Sequence, residues 1–191
     1  MNDADNADPA TCQERINEYQ GMPKEYTGSI MLGATTPSYD AEMDIDQRYP
    51  TDHITPELLE QTRQQFIGEI QQVPPIFSAI KVDGQPLYKK ARAGKQAKIE
   101  PRAVHIYDFT LQSHQLPELE FEITCSKGTY IRSVAYDFGK ALNSGAYLSN
   151  LCRTAIGEYH LEQAWKLEDL VEMIDQLPVA NSATNLTNPA P

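Results

Sequence analysis

Three groups of residues in this chain have the types and spacing that chemistry needs. The first is Cys125-Ser126-Lys127-Gly128-Thr129-Tyr130-Ile131-Arg132-Ser133. A Lys-Gly-Thr turn there runs into a helical pattern, so backbone N–H groups of the first turn and the Arg132 guanidinium can face an anion. The second is the stretch 81–102. Its seven basic residues (Lys81, Lys89, Lys90, Arg92, Lys95, Lys98, Arg102) meet only Asp83 and Glu100, a local excess of five positive charges. Such a patch can steer a polyanion. The third is Lys24-Glu25-Tyr26, whose phenol, with an unperturbed pKa of about 10, needs help to act as a base at neutral pH. Each group also has a plain structural explanation. Tyr26 can be an ordinary strand tyrosine, Tyr130 a packing residue, Arg132 a surface charge, and the basic stretch a solvated helix and loop.

The whole chain limits the choices. Its 191 residues fit one domain with a real core. The net charge of −11 argues against a nucleic-acid partner only until its distribution is considered. Residues 1–25 carry six acidic side chains (Asp3, Asp5, Asp8, Glu14, Glu18, Glu25) against Arg15 and Lys24, the reverse of the 81–102 stretch. Cys12, Cys125 and Cys152 are odd in number and unpaired in spacing, so reduced, mostly buried thiols are expected. His53, His105, His114 and His160 are scattered too, and no metal site can be argued from them. No stretch approaches the roughly 20 apolar residues of a membrane span. The opening Met1-Asn2-Asp3-Ala4-Asp5 has neither a basic nor an apolar run, which points to the cytoplasm.

These groups must be positioned by an alternation of strands and helices. Residues 1–15 are expected to be a disordered acidic N-terminus, 16–176 the folded domain, and 177–191 a flexible tail. Tyr26–Gly33 reads as a strand, followed by a polar, turn-rich segment from Ala34 to His53. Thr55 caps a helix with Pro56 at its first position and Glu57 in its first turn. Leu58, Leu59, Thr62, Phe66 and Ile67 give that helix an apolar face, and Gly68 is placed to end it. Pro74-Pro75 leads into a strand over Phe77–Val82, Asp83-Gly84 turns the chain, and Pro86–Ala93 forms a short basic helix. Two strands follow. In the second, Leu119, Phe121, Ile123 and Cys125 alternate with Glu118, Glu120, Glu122 and Thr124, the mark of a sheet with one wet face. Tyr130, Ile131, Val134, Ala135, Phe138 and Leu142 place a helix after Gly128. A strand over Leu151–Leu161 and a helix over Trp165–Ile174 complete the series. The pattern argues for an α+β domain on a mainly antiparallel sheet flanked by helices.

Four local patterns occur in order: Lys24-Glu25-Tyr26; Pro74-Pro75-x-x-Ser78-Ala79-x-Lys81-x-x-Gly84-x-x-x-Tyr88-x-x-Ala91-Arg92-x-Gly94; Cys125 to Ser133; and Gly145-Ala146-x-Leu148-x-x-Leu151-x-Arg153-Thr154-x-x-Gly157. Together they resemble the TruB family of pseudouridine synthases, the bacterial relatives of dyskerin, over roughly 140 residues. The resemblance implies a pseudouridine-synthase catalytic domain that isomerises the T-loop uridine at position 55 of tRNA. Such an enzyme flips the uridine out, detaches its base from the ribose, rotates it and rejoins it through C5, without cofactor or metal. It implies that Tyr26 stacks on the target base and is a candidate base for the C5 proton. Tyr130 would line the uridine pocket, Arg132 would pair with the catalytic aspartate, and Leu151 would contact the base. Lys81, Lys89, Lys90, Arg92, Lys95 and Arg153 would meet the RNA backbone of the T-arm, and the protein would work as a monomer.

One element of the resemblance is missing. The family's nucleophile lies in a Gly-x-Leu-Asp-Pro-x-Ala-x-Gly segment ahead of the Lys-x-Tyr strand, after a histidine-bearing loop. Asp8-Pro9-Ala10 imitates part of it, but Ala7 replaces the leucine, no glycine stands in place, and Asp8 is only 18 residues before Tyr26. No catalytic residue is therefore assigned, and Asp8 is a poor stand-in. The expectation is an N-terminally truncated domain lacking its first strands and inactive alone, with a non-catalytic tRNA-binding module as the alternative. Too few residues follow Ile174 for a PUA-type RNA-binding domain, so the catalytic body is expected to supply most of the tRNA contact.

Overall fold

A computed structural model describes residues 9–82, 84–87, 89, 99–112 and 116–176. Helix α1 (Pro9–Gly21) leads into strand β1 (Lys24–Leu32), and two short strands, β2 (Ala34–Thr35) and β3 (Gln47–Arg48), pair with each other. Helix α2 (Pro56–Gln64) precedes β4 (Gly68–Gln72), and β5 (Lys81–Val82) pairs with β6 (Gln85–Pro86). Two long strands follow, β7 (Arg102–Leu111) and β8 (Glu118–Cys125). Helix α3 (Ile131–Ala141), strand β9 (Ala146–Ile156), the short β10 (Tyr159–His160), a 3₁₀ turn and helix α4 (Leu167–Asp175) complete the order. Six strands form one sheet in the order β10-β9-β1-β8-β7-β4, every pair antiparallel. The fold class is α+β. The chain divides into two compact units, residues 1–161 and 162–191, and α4 belongs to the second.

The sheet carries its core on one face. Ile30, Leu32, Ile106, Phe109, Leu119, Phe121 and Ile123 pack with Leu59, Phe66, Ile131, Val134, Ala135 and Phe138. Phe109 anchors the cluster, meeting Phe66, Phe121 and Phe138 edge-on at centroid distances of 6.4, 6.1 and 5.7 Å, the arrangement favoured by ring quadrupoles. The alternation in β8 is realised as expected, with Leu119, Phe121, Ile123 and Cys125 buried. Helix α2 starts where its sequence says, the Thr55 hydroxyl accepting from the Leu58 amide at 3.2 Å with Pro56 in the first turn.

Other expectations need correction. Residues 9–15, expected to lack order, open α1, and Asp8 lies outside the described residues. Gly68 does not end α2, which stops at Gln64. With φ +95 it starts β4, an edge strand the sequence did not announce because its residues (Gly-Glu-Ile-Gln-Gln) carry little apolar pattern. Ile76–Ala79 is a run of bends, and of the expected strand only Lys81–Val82 is strand. Strand β9 begins at Ala146, five residues before expected, so Leu151 falls mid-strand. Cys125 is buried but Cys152 is exposed. The expected basic helix over Pro86–Ala93 falls largely outside the described residues, as do Lys90, Arg92, Lys95 and Lys98.

Helix α3 is pressed against the start of β9 at Gly139, where a Cβ would collide with the backbone nitrogen and side chain of Ala146. Gly139→Ala should therefore lower unfolding free energy by about 1–3 kcal/mol, as overpacking does. Chemical denaturation checks this, and an unchanged midpoint would mean that α3 does not seat against β9 as described.

Candidate functional site

The turn before α3 is built as its residues suggest. Gly128 takes φ +81, and the Thr129 hydroxyl donates to the Ser126 carbonyl at 2.9 Å. Tyr130 is the N-cap residue of α3, and no side chain caps it. Gln72, fully buried at the end of β4, instead grips Tyr130 from both sides. Its Nε2 donates to the Tyr130 carbonyl at 3.1 Å, and its Oε1 accepts from the Tyr130 amide at 2.8 Å. The Ser133 hydroxyl donates to the Val73 carbonyl at 2.9 Å, a second tack between the same segments. Arg102 lies over the Tyr130 ring, 5.0 Å from its centroid, and donates to the Gly128 carbonyl. Tyr130 is thus held through its backbone and its ring, not by simple core packing.

Arg132 projects from the first turn of α3 into a set of acceptors. Its Nη1 meets Asp40 Oδ2 at 2.8 Å and the Ser38 carbonyl at 3.4 Å, and its Nη2 donates to the Phe77 carbonyl at 3.0 Å. The side chains of Arg132 and Asp40 are 24% and 14% exposed, so this is a largely desolvated ion pair. Asp40 is fixed in turn. Its Oδ1 accepts from the Ser38 hydroxyl at 2.6 Å and the Glu42 amide at 3.1 Å, while its carbonyl accepts from the Thr36 hydroxyl at 2.6 Å. Asp40 lies in the Ala34–His53 segment, whose sequence shows only a polar, turn-rich stretch. The Ser-x-Asp spacing was a turn signal, but nothing local showed which cation, 92 residues away, it would meet.

Above this pair opens a cavity of about 850 Å³, lined by Ser38, Asp40, Ala41, Glu42, Met43, Phe77, Arg132, Leu148, Ser149, Asn150 and Leu151. The volume lies within the range of small-molecule sites. Of the four expected uridine-side residues, Arg132 and Leu151 line it. Leu151 is 40% exposed and so is not a core leucine. Tyr26 does not line this cavity. It packs half-buried against the core, with Arg153 opposite it on β9 and Leu151 opposite Gly28, so register sets Tyr26 diagonally beside Leu151. The ring that faces the cavity is Phe77, from the segment expected as a strand.

Burial raises the Tyr26 phenol above its ordinary pKa of 10. The nearby Cys125 pushes the same way, and a hydrogen bond and positive charge from Arg153 oppose both. Arg153, expected at RNA phosphates, is here engaged with Tyr26. Lys24, opening the same motif, turns its ammonium back on the carbonyls of Gln20 (2.7 Å) and Met22 (2.6 Å), closing the C-terminus of α1. Lys89 is exposed, and Lys81 lies in β5. Among the described residues, no group of three or more His, Cys, Asp or Glu side chains is placed to hold a metal, and no helix is long and apolar enough to cross a membrane.

Comparison with known proteins decides the lineage. The sequence profile of the TruB family pseudouridylate synthase N-terminal domain matches residues 12–131. The chain belongs to the TruB family. It is 56% identical over 151 residues to tRNA pseudouridine synthase B of Flavobacterium johnsoniae, covering 79% of this chain and 66% of the relative. It is 51% identical over 166 residues to that of Bacteroides fragilis, covering 87% and 71%. The chain thus spans about two-thirds of the length of these TruB relatives. Among solved structures, a chain of a Cbf5–Nop10–Gar1 complex superposes with TM-score 0.57 at 25% identity, covering 83% of this chain and 38% of that one. A chain of an H/ACA RNP bound to a substrate RNA containing 2'-deoxyuridine shares the fold, with TM-score 0.56 at 20% identity and 87% of this chain covered.

Two measurements check this geometry. Asp40→Ala strands a desolvated guanidinium and should cost about 1–3 kcal/mol of stability, measured by denaturation. The Tyr26 phenol, with its folded pKa raised, contributes stability that is intact below about pH 10 and falls as pH rises past it. Arg153→Gln should raise the folded pKa further and extend that loss to still higher pH, the folded titration being read as tyrosinate absorbance against a Tyr26→Phe control. A downward move would contradict the assigned role of Arg153.

Proposed function

We propose that this chain forms the uridine-recognising body of a tRNA pseudouridine synthase that acts on the T-loop uridine at position 55. The observation that carries the reading is the desolvated Arg132–Asp40 pair, set in the wall of a cavity that Leu151 also lines. A uridine flipped from its stack loses a few kcal/mol of stacking and needs a shaped pocket with polar groups on one side and apolar groups on the other. Here Ser149, Asn150 and Arg132 supply the first, and Phe77, Met43 and Leu151 the second. On this reading Tyr26 and Tyr130 border the base. The exposed Lys89 and Arg153, with Lys81, Lys90, Arg92 and Lys95, draw in the T-arm phosphates. The protein works as a monomer in the cytoplasm.

The isomerisation breaks the bond between N1 and the ribose, turns the base, forms the bond to C5 and removes the C5 proton. A covalent nucleophile carries such a step, and its loss removes many orders of magnitude of rate. No Gly-x-Leu-Asp-Pro sequence occurs in the 191 residues. Asp40 is a poor substitute, because Ser38, Glu42 and Arg132 already engage both of its oxygens. The chain alone therefore recognises its RNA without isomerising it. A non-catalytic tRNA-binding module is the second reading, favoured by this same engaged carboxylate.

The test uses an unmodified tRNA transcript tritiated at uridine C5. The chain should bind it with an affinity that falls steeply with salt and should release no tritium. Fusing a Gly-x-Leu-Asp-Pro-bearing N-terminal segment from a relative should restore release if the first reading holds, and not if the second does. Absence of binding at low salt would end both.

A further inference from the structure

Arg132 and Tyr136 are four residues apart on α3 and so share one face of the helix. Tyr39 and Asp40 are neighbours in the loop that crosses that face. Helix and loop therefore meet twice, one turn apart. The Asp40 carboxylate sits on Arg132 at 2.8 Å, and the Tyr39 ring lies flat on the Tyr136 ring, with centroids 4.0 Å apart and planes 16° from parallel. Tyr39 adopts φ 65, a left-handed conformation that is unfavourable for a residue with a side chain. Such conformations persist where their surroundings over-determine them. Here the Tyr39 amide donates to the Thr36 carbonyl at 3.1 Å, its carbonyl accepts from the Leu148 amide at 3.0 Å, and Asp40 bridges to Leu148 in parallel fashion. The backbone of this turn would favour glycine. What tyrosine adds is the ring, and the ring is on Tyr136.

We propose that Tyr39 and Tyr136 are positioning residues that act through Asp40. Their stack locks the left-handed turn against α3, so that the Asp40 carboxylate reaches Arg132 and holds its guanidinium at the cavity wall. Neither tyrosine lines that cavity. Their effect on RNA passes through the ion pair, and this part of the inference rests on the RNA reading above. Burial and the neighbouring Tyr136 and Asp137 push the Tyr39 phenol up to about 12, so this ring stays uncharged throughout the neutral range.

The experiment compares Tyr39→Phe, Tyr39→Gly, Tyr136→Phe and Tyr136→Ala in the full chain. The first readout is the Nε–H resonance of Arg132 in nitrogen-15 NMR without RNA, assigned by its loss in Arg132→Lys. Both phenylalanine variants keep the stack and should leave its exchange with water unchanged. Tyr136→Ala and Tyr39→Gly should speed exchange at least about tenfold. The second readout is affinity for an unmodified T-arm hairpin, expected to fall about tenfold in the Ala and Gly variants and to hold within about twofold in the Phe variants. Tyr39→Gly relaxes the backbone strain, so a merely structural role predicts an unchanged or higher melting temperature and unchanged exchange. If Tyr136→Ala fails to fold, Tyr39→Gly decides the matter alone. Unchanged exchange in Tyr39→Gly overturns the lock, and faster exchange with undiminished hairpin affinity overturns the positioning role. Failure of the unaltered chain to bind the hairpin would instead remove the RNA reading, leaving the exchange measurement to uphold or overturn the lock.

Discussion

A guanidinium taken largely out of water must be met by acceptors on the sides it presents, and at Arg132 these come from distant parts of the chain. Asp40 and the Ser38 carbonyl approach from the loop after β2, and the Phe77 carbonyl from the bends after β4. The arginine belongs to α3, which the core holds through Ile131, Val134, Ala135 and Phe138. One side chain thus ties three segments to one point. Removing the carboxylate alone would leave a charge with too few partners in a poorly hydrated place, the situation in which ion pairs matter most to a fold. The same desolvation strengthens any interaction between this site and an approaching ligand.

The rest of the site is arranged to keep that arginine still. Gln72 grips the backbone of Tyr130 two residues earlier, and Ser133 is tied to Val73 one residue later. Both tacks come from β4 and its end, an edge strand whose pairing with β7 is its link to the sheet. Buried polar groups as fully satisfied as Gln72 rigidify their surroundings, because any movement leaves an amide without a partner. Rigid placement of this kind is what a site needs when a group must be held to within a fraction of an ångström.

The parts of this design that were legible in the sequence are those fixed by local chemistry. Thr55-Pro56 announced α2, strict alternation announced β8, and the Lys-Gly-Thr turn before a helical pattern announced α3 and the place of Arg132. The parts that were not legible depend on distant pairings. Strand β4 has too few apolar residues to show a period, and it is a strand because β7 offers a ladder. Asp40 looked like one polar residue among many, and its role exists only because the chain returns 92 residues later. Leu151 and Arg153 were noticed, but their positions opposite Gly28 and Tyr26 follow from the register of β9, with bulges on either side of the Tyr26–Ser29 stretch. Sequence spacing does not encode a bulge.

Charge is unevenly distributed over the molecule. The wet face of the sheet carries Glu118 and Glu120, both exposed on β8, and would repel an RNA backbone. The cations fall elsewhere: Arg102 over Tyr130 beside the start of α3, Arg153 opposite Tyr26 on β9, and Lys89 after the β5–β6 pair. A net charge of −11 is then no obstacle to binding a polyanion. At physiological ionic strength a phosphate feels charges within about 8 Å, so the local sign, and not the net charge, would govern the approach of a polyanion. On the tRNA reading proposed above, an RNA nearing the glutamate side would be repelled, and one nearing the α3 side would find Arg132 already held in place by Asp40.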